Sequence, residues 1–200
     1  MKLTLDSQRL TLTPFTPDDI DLSFEMFTDP AVVRYTGGVM SDSFIRANVT
    51  NWARRGGNGC IGIWTVSDRE TGEKYGSVAL LPMPVKEKET DFSLLVPGKM
   101  PDADIEIGYY LKRSAWGFGY ATEAARRVLE FAFQESPLDE VVATFDKGNL
   151  ASKSVLEKAG FTDRGTMPCY GEDDGLNYRI TRDEWSQQRA EAACAETRPV

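Results

Sequence analysis

Two glycines lie between an alternating segment and a long apolar helical pattern, and this junction constrains the chain more than any other feature. Polarity alternates over residues 105–111, as in a strand with two unlike faces. Residues 121–134 carry apolar side chains at helical spacing. Gly117 and Gly119 can adopt φ > 0, so main-chain N–H groups can converge beside the partial positive charge of a helix N-terminus. The pattern predicts a strand, an anion-binding loop and a helix in succession.

Two nucleotide-binding motifs compete for this loop, and both match poorly. A dinucleotide fingerprint needs a third glycine, where this chain has Thr122. It also needs an acidic residue about 20 positions on, whereas the next predicted strand, 140–145, ends at the more distant Asp146. A Walker loop needs a Gly-Lys-Ser/Thr sequence after the glycines, and none follows.

A second strand-to-helix transition follows the loop. Asn149 is a favourable N-cap, Ser152 falls at the N3 position, and Gly160 followed by Phe161 is a typical helix stop. The segment 149–161 therefore predicts a second helix, preceded by a short strand over 141–145.

Together, the two transitions resemble the GNAT acyl-CoA N-acyltransferases, in particular the RimJ/RimL-type branch that acetylates protein N-termini. The resemblance covers roughly residues 7–185. Further matching segments occur in the family's order, at residues 8–12, 16–19, 32–35, 106–111 and 178–185. The resemblance implies an α/β (α+β) fold in a single domain over 1–185. Its mixed, mostly antiparallel sheet splays between the fourth and fifth strands, is flanked by helices, and holds the pantetheine arm of acetyl-CoA in the gap. Residues 186–200 are rich in Ala and Glu and predict a frayed tail.

The sequence departs from the family pattern at two positions. Trp116 stands where the glycine loop usually opens with Gln or Arg, which should cost little because main-chain N–H groups bind the phosphates. Leu156 stands where many members have the tyrosine that protonates the leaving thiolate. Another group must fill that role, or it is vacant.

Catalytic roles follow from the resemblance. Glu106 is expected to act as a general base through water, with a salt-bridged strand residue as the alternative. Main-chain N–H groups around Tyr109 would polarise the thioester carbonyl. Ser152 is the candidate proton donor to the thiolate, or else only a helix-capping serine.

Acetyl-CoA is the expected cosubstrate. The residues expected to bind it lie at the end of the strand over 105–111, in the glycine loop and at the start of the helix over 149–161: Tyr109, Leu111, Trp116, Gly117, Phe118, Gly119, Tyr120, Ala121, Thr122, Asn149 and Ser152. Tyr35 and Tyr110 are candidates to line the acceptor pocket, with simple core packing as the alternative.

Composition excludes several kinds of chemistry. The chain has no histidine, so it has no Ser-His-Asp triad, Cys-His pair or histidine zinc site. The three cysteines show no metal-ligand spacing and predict free thiols, and no metal is expected. A net charge of −8 disfavours nucleic-acid binding and favours a cationic substrate. No apolar run approaches the ~18 residues of a membrane span, and residues 1–5 lack an apolar signal region, which makes the cytoplasm the default.

The remaining elements follow from local patterns. A strand is predicted over 9–14, helices over 17–27 and 41–55, and a hairpin whose strands, 59–66 and 74–81, flank a turn at 67–73. The proline-rich segment 82–102 predicts an exposed connection between antiparallel strands, either overhanging the acceptor site or merely solvated.

The ionisation of amines narrows the acceptor. Freeing a lysine amine at pH 7 costs about 4.6 kcal/mol, whereas freeing an α-amine costs about 1 kcal/mol. A site without a strong base therefore favours a protein or peptide N-terminus. A small-molecule amine such as a polyamine, amino sugar or antibiotic remains open, as do a noncatalytic CoA-binding module and a dinucleotide-binding domain. Monomer and homodimer both remain open.

Overall fold

The computed structural model describes residues 2–196, which form one eight-stranded sheet with helices packed on it. The strands are β1 (Leu5–Asp6), β2 (Leu10–Pro14), β3 (Gly62–Asp68), β4 (Lys74–Pro82), β5 (Ile105–Leu111), β6 (Glu140–Ala143), β7 (Thr162–Cys169) and β8 (Glu172–Thr181). The α-helices are α1 (Ile20–Phe27), α2 (Asp42–Trp52), α3 (Tyr120–Glu135), α4 (Leu150–Ala159) and α5 (Arg182–Glu196). The predicted α/β class, with its mixed and mostly antiparallel sheet, is confirmed.

The sheet has the order β1-β2-β3-β4-β5-β6-β8-β7, and every neighbouring pair is antiparallel except β5 and β6. The antiparallel pairing of β4 with β5 extends from Gly76–Leu111 to Pro82–Ile105. The parallel pairing of β5 with β6 consists of the single pair Glu106–Val142. The two strands therefore separate beyond Glu106, which is the predicted splay. The sequence counted them as the fourth and fifth strands because it did not predict β1.

The core lies between the sheet and α3. One stripe of α3 is buried, as its spacing predicted: Ala124, Ala125, Val128, Leu129, Phe131, Ala132 and Phe133. Phe131 meets the fully buried Trp64 of β3 edge to face, with ring centroids 5.6 Å apart. This packing fixes where α3 begins, and so where the glycine loop lies.

Local patterns placed most elements within a few residues. The β3–β4 hairpin and the N-cap of α2 at Ser41 agree with the sequence. Residues 57–59 form a 3₁₀ turn rather than the start of a strand, and 17–19 form another before α1. Pro82 ends β4, and the connection over 83–104 contains only a short 3₁₀ turn at Phe92–Leu94.

The C-terminal segment differs from its prediction. Helix α5 occupies Arg182–Glu196, so residues 186–196 are helical rather than a frayed tail, while 197–200 lie outside the described residues. The helix is tied to the body of the protein because Trp185 packs on Phe133 at 5.7 Å and the Gln188 amide donates to the Gly160 carbonyl at 3.0 Å. Composition alone did not predict these long-range contacts. Across residues 2–196, no helix is both long and apolar enough to cross a membrane.

Candidate active site

The glycine loop joins β5 to α3 in the conformation its glycines predicted. Gly117 has φ 83° and Gly119 has φ 80°, both in the left-handed region that side chains disfavour. Gly119 is the N-cap of α3, and no side chain caps this helix end. The first N–H groups of α3, at Tyr120, Ala121 and Thr122, thus remain available to an anion. The loop fits a pyrophosphate without any basic side chain.

Trp116 fixes the start of this loop. Its indole N–H donates to the carbonyl oxygen of Leu111 at 2.7 Å, while its ring is 46% exposed. Leu111 itself is buried at the end of β5. The aromatic residue at the family's Gln/Arg position therefore shapes the loop and leaves the phosphate-facing main chain free.

A stack of aromatic rings supports the other side of the loop. Tyr120 lies between Tyr75, at 4.7 Å, and Phe118, at 5.7 Å between ring centroids. The Arg9 guanidinium lies 4.7 Å from the Tyr120 ring centroid and donates to the Phe118 carbonyl at 3.0 Å. Arg9 also forms a two-pronged ion pair with Glu123, with both N–O distances at 2.7 Å. Tyr120 thus packs over the loop, and Arg9 and Glu123 hold it, which sequence reasoning missed.

The gap between β5 and β6 is bridged by side chains of β5 and α4. The Tyr109 hydroxyl lies 2.8 Å from Ser152 Oγ and 3.1 Å from the Ser152 carbonyl oxygen. Burial raises the pKa of the Tyr109 phenol to about 12, so it stays protonated at neutral pH. Asn149 caps α4 by accepting from the Ser152 N–H at 3.1 Å, as its position predicted. Leu156 is 1% exposed and belongs to the core, one helical turn after Ser152 in α4.

Glu106 lies at the point where β5 and β6 separate, and it is buried, with only 7% of its surface exposed. Burial raises the pKa of its carboxyl to about 7, and a hydrogen bond from Tyr170 opposes that rise. Among the described residues, no lysine or arginine forms an ion pair with it, which disfavours the salt-bridge alternative. A carboxyl that titrates near neutrality is suited to proton transfer.

Tyr170 is the site residue that sequence reasoning missed. Its hydroxyl donates to Glu106 Oε1 in a short hydrogen bond between residues 64 positions apart. Tyr170 and Gly171 form the tight turn between β7 and β8, both with φ > 0. Gly171 suits the second position of such a two-residue hairpin turn, whereas a tyrosine at the first position is unusual. Nothing in the local sequence indicates that this tyrosine reaches Glu106.

Of the two predicted acceptor-pocket residues, Tyr110 lies on β5 and Tyr35 lies in the segment between α1 and α2. Tyr110 is half-buried on the Glu106 face of β5, its ring centroid is 5.2 Å from that of Phe27, and its hydroxyl interacts with the Thr36 side chain. The Tyr35 ring lies beside Gly148, where a Cβ would stand 3.5 Å from Tyr35 Cε1. Segment 31–38 therefore spans from β5 to the loop after β6. Tyr110 thus shares a strand face with Glu106, and Tyr35 lies near the loop that leads into α4.

The described residues contain no group of three or more Cys, Asp or Glu side chains arranged to hold a metal ion. The site instead combines a main-chain cradle, a gap in the sheet, a buried carboxyl and a pair of hydroxyls. Such a set can hold a phosphorylated carrier, admit its extended arm and remove a proton from a second reactant.

Comparisons with known proteins agree with this geometry. The family model described as an acetyltransferase (GNAT) domain matches residues 9–162. The protein YkkB of Bacillus subtilis (strain 168) is 34% identical over 136 residues, covering 68% of this chain and 70% of that protein. An Aspergillus fumigatus protein named FsC-acetyl coenzyme A-N(2)-transacetylase is 29% identical over 192 residues, covering 91% of this chain and 77% of its own length.

A solved structure shares the fold. It is that of AAC(6')-Ib in complex with paromomycin and acetyl-CoA, with a TM-score of 0.69 and 20% identity over 91% of this chain and 98% of that one. The family match covers most of the chain and includes the glycine loop, Glu106 and α4. The chain therefore belongs to the GNAT acetyltransferases and is an acetyl-CoA-dependent N-acetyltransferase.

Proposed function

We propose that this enzyme transfers the acetyl group of acetyl-CoA directly to the α-amine at a protein or peptide N-terminus. The observation that carries the proposal is the buried, cation-free carboxyl of Glu106 at the start of the splay, where its pKa of about 7 suits the weak basicity of an α-amine. At pH 7, deprotonating a lysine amine costs about 3.6 kcal/mol more free energy than deprotonating an α-amine.

The chain's residues divide the reaction between them. The N–H groups at the start of α3 hold the pyrophosphate of acetyl-CoA, and the gap between β5 and β6 admits its pantetheine arm. The amine nitrogen forms a bond to the thioester carbonyl carbon, and the carbon–sulfur bond breaks. Glu106 receives the amine proton through water, and main-chain N–H groups near Tyr109 stabilise the carbonyl oxygen.

Ser152 supplies the proton that the leaving thiolate needs. Its hydroxyl lies beside that of Tyr109 at 2.8 Å, so two hydroxyls replace the tyrosine that is absent at Leu156. Ser152 then regains a proton from solvent as Glu106 releases its own, so the enzyme returns to its starting protonation state.

A small-molecule amine is the second candidate acceptor. The fungal relative at 29% identity is named for acetyl transfer to an N(2) position, and its similarity extends over 91% of this chain. The aromatic rings of Tyr35 and Tyr110 would also suit the flat or hydrophobic part of a small ligand.

An acceptor screen tests the proposal. Acetyl-CoA is supplied with N-terminal peptides, the same peptides blocked at the α-amine, polyamines and aminoglycosides, and free thiol release is followed together with product mass. We expect turnover with free α-amines, none with the blocked peptides, and a loss of at least about 100-fold in Glu106→Gln. Glu191→Gln, an exposed carboxylate on α5, should keep full activity. Preferential turnover of a small amine would replace the first candidate with the second.

A further inference from the structure

Glu106 has a single hydrogen-bond partner in the described part of the chain. Tyr170 donates to Oε1, whereas Oε2 has no hydrogen-bond partner among the described residues. One carboxylate oxygen is therefore held and the other is left for a water or an incoming amine.

Tyr170 occupies a backbone conformation that a tyrosine disfavours. Its φ is 53°, in the left-handed region where glycine, asparagine and aspartate predominate. Residues held in such conformations cost about 1–3 kcal/mol and persist only when their surroundings fix them. A large aromatic residue at this turn position thus points to a role for its side chain.

The long connection between β4 and β5 fixes this turn. The Tyr170 N–H donates to the Pro84 carbonyl at 2.9 Å, and the Gly171 N–H donates to the Val85 carbonyl at 3.0 Å. The Thr90 side chain also interacts with the Tyr170 hydroxyl. The segment 84–90 therefore secures the turn that carries Tyr170.

We infer that Tyr170 is a positioning residue for Glu106, which holds Oε1 so that Oε2 is left to accept the proton of the acceptor amine through water. The inference rests on the proposed role of Glu106 as the base. It also gives the proline-rich 82–102 segment a function, since that segment anchors the turn from which Tyr170 reaches across the cleft.

Because the groups around Glu106 are uncharged, the hydrogen bond from Tyr170 affects how readily the Glu106 carboxyl ionises. Glu106 faces three titratable groups that are all neutral at pH 7: the buried Cys169 of β7, Tyr170 of the β7–β8 turn, and Tyr110 on its own strand. Its pairing partner on β6 is Val142. Burial opposes the charged carboxylate, and the Tyr170 hydroxyl is the donor that favours it.

Tyr170→Phe tests the inference, because it removes the hydroxyl and keeps the ring. We expect the acidic limb of the kcat/KM profile to shift upward by about one pH unit, as loss of a hydrogen bond to a charged group would produce. At pH 7 kcat should fall about fivefold, because the ionised fraction of Glu106 drops from about one half to about one tenth. Most of this loss should be recovered near pH 9, while KM for acetyl-CoA stays unchanged. Tyr178→Phe, which removes a hydroxyl from a core tyrosine of β8, should leave the profile unchanged.

Two further measurements keep the test decisive. Tyr170→Asn suits the left-handed turn and removes the donor, so it should give the same shift even if Tyr170→Phe folds poorly. Carbon-13 NMR of the Glu106 carboxyl, assigned with Glu106→Gln, should show the same upward shift without any acceptor. An unchanged carboxyl titration in both Tyr170 variants would overturn the inference. A wild-type protein that releases no thiol with any amine would instead count against the proposed function, and the NMR titration would still decide the role of Tyr170.

Discussion

At the scale of single residues, the burial of Glu106 raises the pKa of its carboxyl toward neutrality and lowers the stability of the folded protein. Its carboxyl is buried without a cation, and its charged form has only the Tyr170 hydroxyl to compensate for lost water. A carboxyl of ordinary pKa 4.5 that titrates near 7 in the folded protein binds a proton more readily there than in the unfolded chain. Its ionisation above pH 7 therefore opposes folding.

Glu106→Gln should make the protein more stable at alkaline pH. The folded state binds more protons than the unfolded state between pH 4.5 and about 7, so the wild-type free energy of unfolding falls as pH rises through that window. At pH 8 the variant should exceed the wild type by about 3 kcal/mol, and below pH 4.5 that difference should vanish. Urea unfolding at pH 4, 6 and 8 measures it, with Glu191→Gln as a control that follows the wild type. A difference that does not vary with pH would contradict the account of Glu106.

At the scale of elements, the glycine loop shows what a local pattern can predict. The period of two in β5, the two glycines and the helical stripe of α3 are all properties of neighbouring residues, and each lies where the sequence indicated. The supports of the loop, Arg9 and Tyr75, come from the residue just before β2 and from β4. Sequence spacing says nothing about these contacts, because they depend on which strands become neighbours.

Gly119→Val should weaken CoA binding by more than its loss of stability can explain. Gly119 has φ 80°, so valine forces the N-cap of α3 out of its conformation and misaligns the free N–H groups. Gly72→Val is a matched control, since Gly72 has φ 75° in the β3–β4 turn and open space around it. Both variants should lose about 1–3 kcal/mol of stability. Calorimetric titration with CoA should show a loss of at least about tenfold in affinity for Gly119→Val alone, and equal affinities would remove the anion-binding role.

At the scale of the whole molecule, Arg182 connects the end of the described chain to its middle. Its guanidinium donates to the carbonyl of Phe133 in a short hydrogen bond, to Leu138 at 2.7 Å and to Ser136 at 3.2 Å. These carbonyls lie at the C-terminal end of α3 and in the link to β6. The same contact that docks α5 therefore also fixes where β6 begins, and so helps set the splay beside β5.

Arg182→Ala should destabilise the protein by about 2 kcal/mol, because three carbonyls lose a charged donor. Arg189→Ala is the control on the same helix. Arg189 makes an exposed ion pair with Glu130 at 3.5 Å and lies over the Trp185 ring, so its loss should cost at most about 1 kcal/mol. Chemical unfolding of both variants gives the comparison. Equal losses would show that α5 does not depend on Arg182 for docking.

The sequence by itself determined the glycine cradle and the cap at Asn149, because both follow from backbone geometry over a few consecutive residues. Its resemblance to the GNAT family supplied the fold class and the missing tyrosine at Leu156. Only the tertiary structure decided that Tyr170 meets Glu106 across 64 residues and that Tyr109 meets Ser152 across 43. It also turned the supposed tail into a docked helix. Such contacts depend on how hairpins and helices pack around the sheet, and no local period in the chain encodes that arrangement.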